Sequence, residues 1–316
     1  MHPSFSIIFF TTASGAGYGL LAMLGIYGVL GLLPHDLAFA VVAMLLAFGA
    51  IGAGLLSSML HLGRPERAWR ALSQWRSSWL SREGVASIFT FFPALIFGFG
   101  WLRNSGDGIF VASGVVSAVC AAATVICTAY IYRSLKPVPN WHNRWVVANY
   151  LALAAMTGSL LLAMLVNLSG DDLPGVLTLS LATIVIAFIC KLGYWWDIDH
   201  VQVVSTPESA TGLGALGTVR LLEAPHTSEN YLLKEMGFRI ARKHARKLRM
   251  IAVALAFALP FLLTLAALVV QGFPAAVCMF VAAVSAFAGV LTERWLFFAE
   301  AKHVVTLYYG RRLEAA

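Results

Sequence analysis

His61 and Glu83 bracket the most chemically loaded stretch of this 316-residue chain. Between them lie Arg64, Arg67, Arg70, Arg76 and Arg82, with Trp69, Trp75, Trp79 and a second carboxylate, Glu66. Long apolar runs flank the stretch on both sides. An imidazole titrates near neutral pH, a carboxylate accepts or hands on a proton, and guanidinium groups donate hydrogen bonds. At a boundary between apolar core and water, such groups suit a carbonyl compound that takes up electrons and protons together. Its oxygens need donors, and its reduction needs a titratable relay. Quinone chemistry has those requirements. A plainer reading uses the same residues: His61 closes helix two, and Arg82 and Glu83 form an ion pair at the interface.

Other polar groups gather at the same end of the helices. Tyr194, Asp197, Asp199 and His200 end or follow the apolar run at about 174–195, and Glu293 and Arg294 lie near the end of the run at about 275–298. Helix one contributes Thr11, Thr12, Ser14 and Tyr18, with Gly15, Gly17 and Gly19 allowing close helix approach.

These groups need a scaffold that holds them at one depth. Apolar residues make up 59% of the chain and charged residues only 12%, about half the charge of a soluble domain. The N-terminus lacks a basic leader and its apolar run is too long for a signal peptide, so it reads as a first span. A spanning helix takes about 20 mainly apolar residues. Eight runs qualify, at roughly 5–33, 37–62, 84–102, 109–132, 145–168, 174–195, 250–271 and 275–298. Apolar side chains continue all round each run, which argues for membrane helices and against a closed barrel. The expected fold is an all-α polytopic membrane protein. It is read as one integral membrane domain over 1–316, with helices 1–4 at about 5–132, helices 5–8 at about 145–298, and a loop at 197–249.

Charge sets the orientation. Twenty of the 22 Lys and Arg residues fall within 63–83, 133–144, 197–249 and 294–316. Lys191 adds one at the same end of helix six, and Arg103 stands alone on the other side. An excess of Lys and Arg marks the cytoplasmic side, so both termini and the long loops are expected in the cytoplasm. Basic residues spread along a membrane face suit anionic lipid headgroups or an acidic protein surface, and not nucleic acid. Segment 205–217 reads as extended loop. Segment 228–248 reads as a basic amphipathic helix, either lying at the lipid interface or docking a soluble partner. Arg67, Arg70, Arg76, Lys234, Arg239 and Arg242 are the candidates for partner docking.

Several classes are disfavoured. Cys120, Cys127, Cys190 and Cys278 all sit inside apolar runs, and no Cys-x-x-Cys occurs. The chain therefore offers no usual ligand set for an iron–sulfur cluster or structural zinc, and no metal site is expected. No helix centre carries Lys, Arg, Asp or Glu, which argues against an ion-coupled transporter. All eight histidines lie at helix ends or in loops. A haem would need two of His61, His200 and His303 at matched depth and is not expected.

Three segments tie the chain to a known family. They are Phe9-Phe10-Thr11-Thr12-Ala13-Ser14-Gly15 in helix one, His61-Leu62-Gly63-Arg64-Pro65 after helix two, and Ser78-Trp79-Leu80-Ser81-Arg82-Glu83 leading into helix three. With them the protein resembles the membrane-anchor subunit of the dimethyl sulfoxide reductase family, and the eight-helix plan extends the likeness over the whole sequence. The His-Leu-Gly and Trp-Leu-Ser-Arg-Glu pair at this separation is its specific part.

The resemblance implies an anchor in a bacterial inner (cytoplasmic) membrane. On one face it would hold a molybdopterin catalytic subunit and a four-cluster, ferredoxin-like iron–sulfur subunit, and it would exchange electrons with ubiquinone or menaquinone. The family's quinone-site histidine falls on His61 and its functional glutamate on Glu83. Arg64, Arg82, Ser14 and Tyr18 lie outside that carried-over pattern and are added as residues that could line the same pocket. The missing cluster motifs fit, because the clusters would belong to the partner. The basic face carries the 61–83 turn, so the partner would dock in the cytoplasm. That favours the anchor of a membrane-bound sulfite-oxidising enzyme over the anchor of a dimethyl sulfoxide or other respiratory reductase. A purely structural anchor and a transporter are the competing readings.

Overall fold

The computed structural model describes residues 4–60, 62–171, 173–200, 205–223 and 240–309. Among them, eight helices are long and apolar enough to cross a membrane. They are α1 (Phe5–Val29), α2 (Leu37–Met59), α3 (Trp79–Leu102), α4 (Gly108–Arg133), α5 (Trp145–Ser169), α6 (Val176–Asp199), α7 and α8 (Phe273–Ala299). The seventh, α7, is composite: Ile240–Val253 runs through a π-helical turn at Ala254–Ala258 into Leu259–Ala267. No strand occurs among the described residues. The protein is thus an all-α, multi-pass membrane protein, as its apolar runs imply.

The helix ends depart from those runs for local reasons. The backbone amides of Gly31 and Leu32 bond back to Gly28 and Tyr27, and Gly31 takes φ +65°. That left-handed cap stops α1 at Val29, ahead of the end expected at 33. Ser78 turns extended, and α3 begins at Trp79 rather than 84. Glu83 therefore lies in the second turn of the helix. The described part of the basic segment, from Ile240, is helical and continuous with α7, and the rest of the segment expected at 228–248 lies outside the described residues. Lys234 and Arg239 lie outside the described residues. Segment 205–217 is not simply extended: Thr206 and Ser209 form a capping box for a short helix, Pro207–Thr211.

α1 and α5 form the middle of the bundle. Of their most apolar windows 78% and 67% are buried, against 33% to 50% for the other spans. They meet where α1 has Gly19 and α5 has Gly158. A Cβ on Gly19 would sit 1.8 Å from the Ala154 carbonyl oxygen, so only glycine permits this approach. Around this pair α2 and α4 pack against α1, α6 packs against α5, and α8 packs against both.

The π-helical turn of α7 has a clear cause. The Leu259 amide bonds back to Ala254. The next amide in that pattern would serve Leu255, but residue 260 is proline and has no N–H. The Ser285 hydroxyl of α8 donates to the Leu255 carbonyl instead, at 2.8 Å. Gly289 lets the widened turn fit, since a Cβ there would lie 2.2 Å from the Ala256 nitrogen.

Connections on the two faces differ in chemistry. One face gathers the ends of α2, α4, α6 and α8, and contacts tie its segments together. Ser57 bonds to the Ser6 carbonyl, Val304 to the Pro137 carbonyl, and Tyr308 to the Ala210 carbonyl. We call it the polar face. On the opposite face, Trp101 bonds to the Pro34 carbonyl at 2.9 Å, and His35 meets Asn104 at 3.2 Å.

Candidate functional site

Glu83 is where the polar machinery enters the bundle. It is 4% exposed, on the side of α3 that faces α4, and it accepts a hydrogen bond from the Thr128 hydroxyl. The Ser87 hydroxyl bonds to the Glu83 carbonyl, and Thr90 meets Thr124 at 3.1 Å one turn deeper. The α3–α4 seam is therefore a ladder of small hydroxyl residues leading away from the carboxylate. Its register follows from spacing: 83, 87 and 90 share one helical face, as do 124 and 128.

Arg82 points the other way. Its guanidinium donates to the Trp75 and Arg76 carbonyls at 3.0 and 2.7 Å and stacks over the Trp79 ring at 4.3 Å. It ties down the end of the 60–78 turn and makes no ion pair with its neighbour. The interfacial Arg82–Glu83 pair of the plainer reading is not formed. The turn itself holds a 3-10 helix, Pro65–Gln74, that the Ser81 hydroxyl anchors by bonding to the Ala71 carbonyl. Arg64, Arg67, Arg70 and Arg76 on this turn are exposed, and Trp69 and Trp75 are more than half exposed. Arg64 is thus on the surface and does not line the interior with Glu83. His61 lies outside the described residues, as does the side chain of Arg242.

Ser14 and Tyr18 of α1 do share a site. They line a small internal cavity between α1, α4, α5 and α8, with Thr128, Tyr150, Thr157 and Arg294. The hydroxyls of Ser14 and Thr157 donate to carbonyls of their own helices, at 2.6 and 2.8 Å. The Tyr18 and Tyr150 hydroxyls are buried without a well-formed hydrogen bond. Thr128 connects the two halves of the site: it bonds to Glu83 on one side and borders the cavity on the other.

Beyond the cavity lies a buried ionic cluster. Lys191 of α6 pairs with Glu293 of α8, each side chain 1% exposed. Arg294 lies 3.5 Å from the other Glu293 oxygen and packs its guanidinium 3.7 Å from the centre of the Tyr150 ring. An aromatic shell seals the cluster. Tyr132, Trp141, Tyr150, Tyr194, Phe297 and Phe298 pack ring against ring around it. From there the charges lead outward. Arg249 of α7 bonds to Glu300 at 3.0 Å and grips Asp199 through two bonds of 2.7 and 2.9 Å, and Asp199 is partly exposed. Buried ion pairs seldom stabilise a fold relative to apolar residues of the same shape. At membrane depth they mark function more often than structure.

Sequence reasoning placed Glu293 and Arg294 near the polar face, and counted Lys191 only as a topology charge. It did not single out Thr128 or Tyr150. A lone lysine in an otherwise apolar helix end was the available signal for the cluster. Thr128 and Tyr150 carry no such signal in an apolar helix. His200 is set apart by its contacts, its ring stacked on Trp196 at 4.2 Å and bonded to the Trp196 carbonyl.

An eight-span bundle with glutamate, lysine and arginine buried near one face is an integral membrane protein built around an internal polar site. Residues 1–310 match the family described as DMSO reductase anchor subunit (DmsC), and the protein belongs to that family. It is 34% identical to the C subunit of the sulfite dehydrogenase of Allochromatium vinosum, over 98% of this sequence and 99% of that one. It is 32% identical to the C polypeptide of the anaerobic dimethyl sulfoxide reductase of Escherichia coli, over 42% of this sequence and 48% of that one.

Proposed function

We propose that this protein is the quinone-reactive membrane anchor of a molybdopterin oxidoreductase that oxidises sulfite. It holds an iron–sulfur subunit and a molybdopterin subunit on its polar face, and it passes electrons from the clusters to the quinone pool of a bacterial inner membrane. The charge asymmetry supports a cytoplasmic polar face. The end-to-end likeness to a sulfite dehydrogenase subunit supports the substrate, because it spans nearly the whole of both sequences. The likeness to the dimethyl sulfoxide reductase polypeptide spans less than half of this sequence and keeps quinol oxidation as the second reading.

The observation that carries the quinone assignment is the placement of Glu83: a carboxylate buried behind the polar-face turn and held by one hydroxyl. A quinone, when bound, supplies an acceptor of two electrons and two protons. The internal cavity holds about 10 Å³, room for roughly one water and far too little for a quinone ring. The ring must therefore approach Glu83 from outside the cavity, beneath the 3-10 segment, where Leu72 rests on Gly84. The Glu83 carboxyl would deliver a proton to a carbonyl oxygen there, with Thr128 fixing its orientation. His61, which lies between Leu60 and Leu62 in the sequence, would serve the other carbonyl. The exposed Arg67, Arg70 and Arg76 lie on the same turn and would meet the cluster subunit.

The test is steady-state turnover of the purified complex with sulfite and a soluble quinone, beside turnover with a dye that takes electrons from the clusters. His61→Ala is expected to keep assembly and dye reduction and to lose quinone reduction. Parental quinone reduction in that variant would remove His61 from the site.

A further inference from the structure

The internal cavity behind Thr128 has walls that call for a ligand. Its Tyr150 hydroxyl and the Arg294 Nε are buried without hydrogen bonds, and the Tyr18 hydroxyl has only a loose contact with Ser87. A buried guanidinium with an idle N–H group is costly unless something accepts from it. Ser14 and Thr157 spend their hydroxyl protons on helix carbonyls and present only lone pairs. The lining thus both donates and accepts, and the space admits one small polar molecule.

We propose that this cavity holds an ordered water that passes protons between the Lys191–Glu293–Arg294 cluster and Glu83. The proposal rests on the reading that Glu83 serves the quinone. Thr128 makes the connection on one side: its hydroxyl donates to Glu83 and can also turn to the Thr124 carbonyl at 3.1 Å. Tyr150 makes it on the other, with its ring under Arg294 and its hydroxyl free. In the transfer, Thr128 hands its hydroxyl proton to the Glu83 carboxylate and takes one from the water. The Tyr150 hydroxyl gives the water its proton and takes one from Glu293, which the Lys191 ammonium protonates. One O–H or N–H bond breaks for each O–H bond that forms, one net proton moves, and no electrons do. The proton is taken up at the polar face by the carboxylates Glu300 and Asp199, which Arg249 holds in place while keeping its own protons. It would let electrons arrive from a docked partner while protons arrive through the bundle interior, without opening the quinone's own contact to water.

The test uses the purified complex carrying Thr128→Val, Thr128→Ser, Tyr150→Phe or Glu83→Gln. Thr128→Val and Tyr150→Phe keep the shape of the packing. Each is expected to slow quinone-linked turnover about 10-fold, less than the ~100-fold of a lost direct proton donor. The solvent deuterium isotope effect should rise, and dye-linked turnover should stay unchanged. Thr128→Ser is expected to restore the parent rate. Parental rates and isotope effects in both Thr128→Val and Tyr150→Phe would overturn the relay. If Glu83→Gln alone is slow, the relay falls and the quinone site stands. If Glu83→Gln is also parental, the quinone site itself falls. A cryo-EM map of the complex gives a readout independent of turnover. Ordered density within hydrogen-bonding distance of Arg294 Nε and the Tyr150 hydroxyl is expected there, and an empty cavity would overturn the relay.

Discussion

The 60–78 turn and the Lys191–Glu293–Arg294 cluster are both rich in charge, and they are built in opposite ways. The turn spreads its arginines over an exposed surface, where the guanidinium groups of Arg70 and Arg76 lie about 5.5 Å from the neighbouring tryptophan rings. Each charge there keeps its water, so each is worth little to the fold and remains free to meet a partner. The cluster has three charges from two helices inside an aromatic shell. There bulk water is gone, and each charge depends on the others. Glu83 stands between the two regimes. It follows the turn directly in sequence, yet it faces the interior with the cluster. On the proposed function, charge density in the sequence marks the docking surface, while burial marks the proton chemistry.

The comparison can be broken most easily at the cluster. Glu293→Ala would leave Lys191 and Arg294 buried without their counter-ion, a loss of about 3–5 kcal/mol. Thermal unfolding of the detergent-solubilised protein should show a sharply lowered midpoint or no folded protein, and a near-parental midpoint would mean that bulk solvent already screens the cluster. Gly19→Ala is expected to cost about 1–3 kcal/mol through overpacking of α1 on α5, read by the same melt. Arg82→Ala removes two carbonyl contacts and the stack on Trp79, but at a half-exposed site, so about 1 kcal/mol is expected. The protease sensitivity of the turn should increase with it. Arg67→Ala should move stability by less than about 0.5 kcal/mol, and should show itself instead as weaker retention of the cluster subunit on a sizing column as salt is raised. If Arg67→Ala destabilised the protein as much as Glu293→Ala, the distinction between the two regions would collapse.

Much of this plan was readable from the residues, and the rest was hidden for physical reasons. The eight spans were legible because apolar runs of this length have no other stable home. Their ends were not, because capping depends on single residues: Gly31 stops α1, and Ser78 starts α3 inside what reads as polar turn. That shift decides the site, since it carries Glu83 into the second turn of a helix. The interior cluster was illegible as a unit because Lys191 and Glu293 lie 102 residues apart and meet only through the packing of α6, α7 and α8 around α5. Ser14, Tyr18, Arg64 and Arg82 all read as residues that could line one pocket with His61 and Glu83; Ser14 and Tyr18 border the small cavity behind Thr128, whereas Arg64 is exposed and Arg82 turns to the Trp75 and Arg76 carbonyls.

The central claim is that the buried Glu83 carboxyl serves quinone chemistry, and one substitution tests it most directly. Glu83→Gln keeps the size of the side chain and an oxygen to accept from Thr128, and removes only the titratable group. In the assembled complex it is expected to leave dye-linked electron flow at the parent level and to lower quinone-linked turnover by about 100-fold or more. Equal quinone-linked turnover in the variant and the parent would contradict the account.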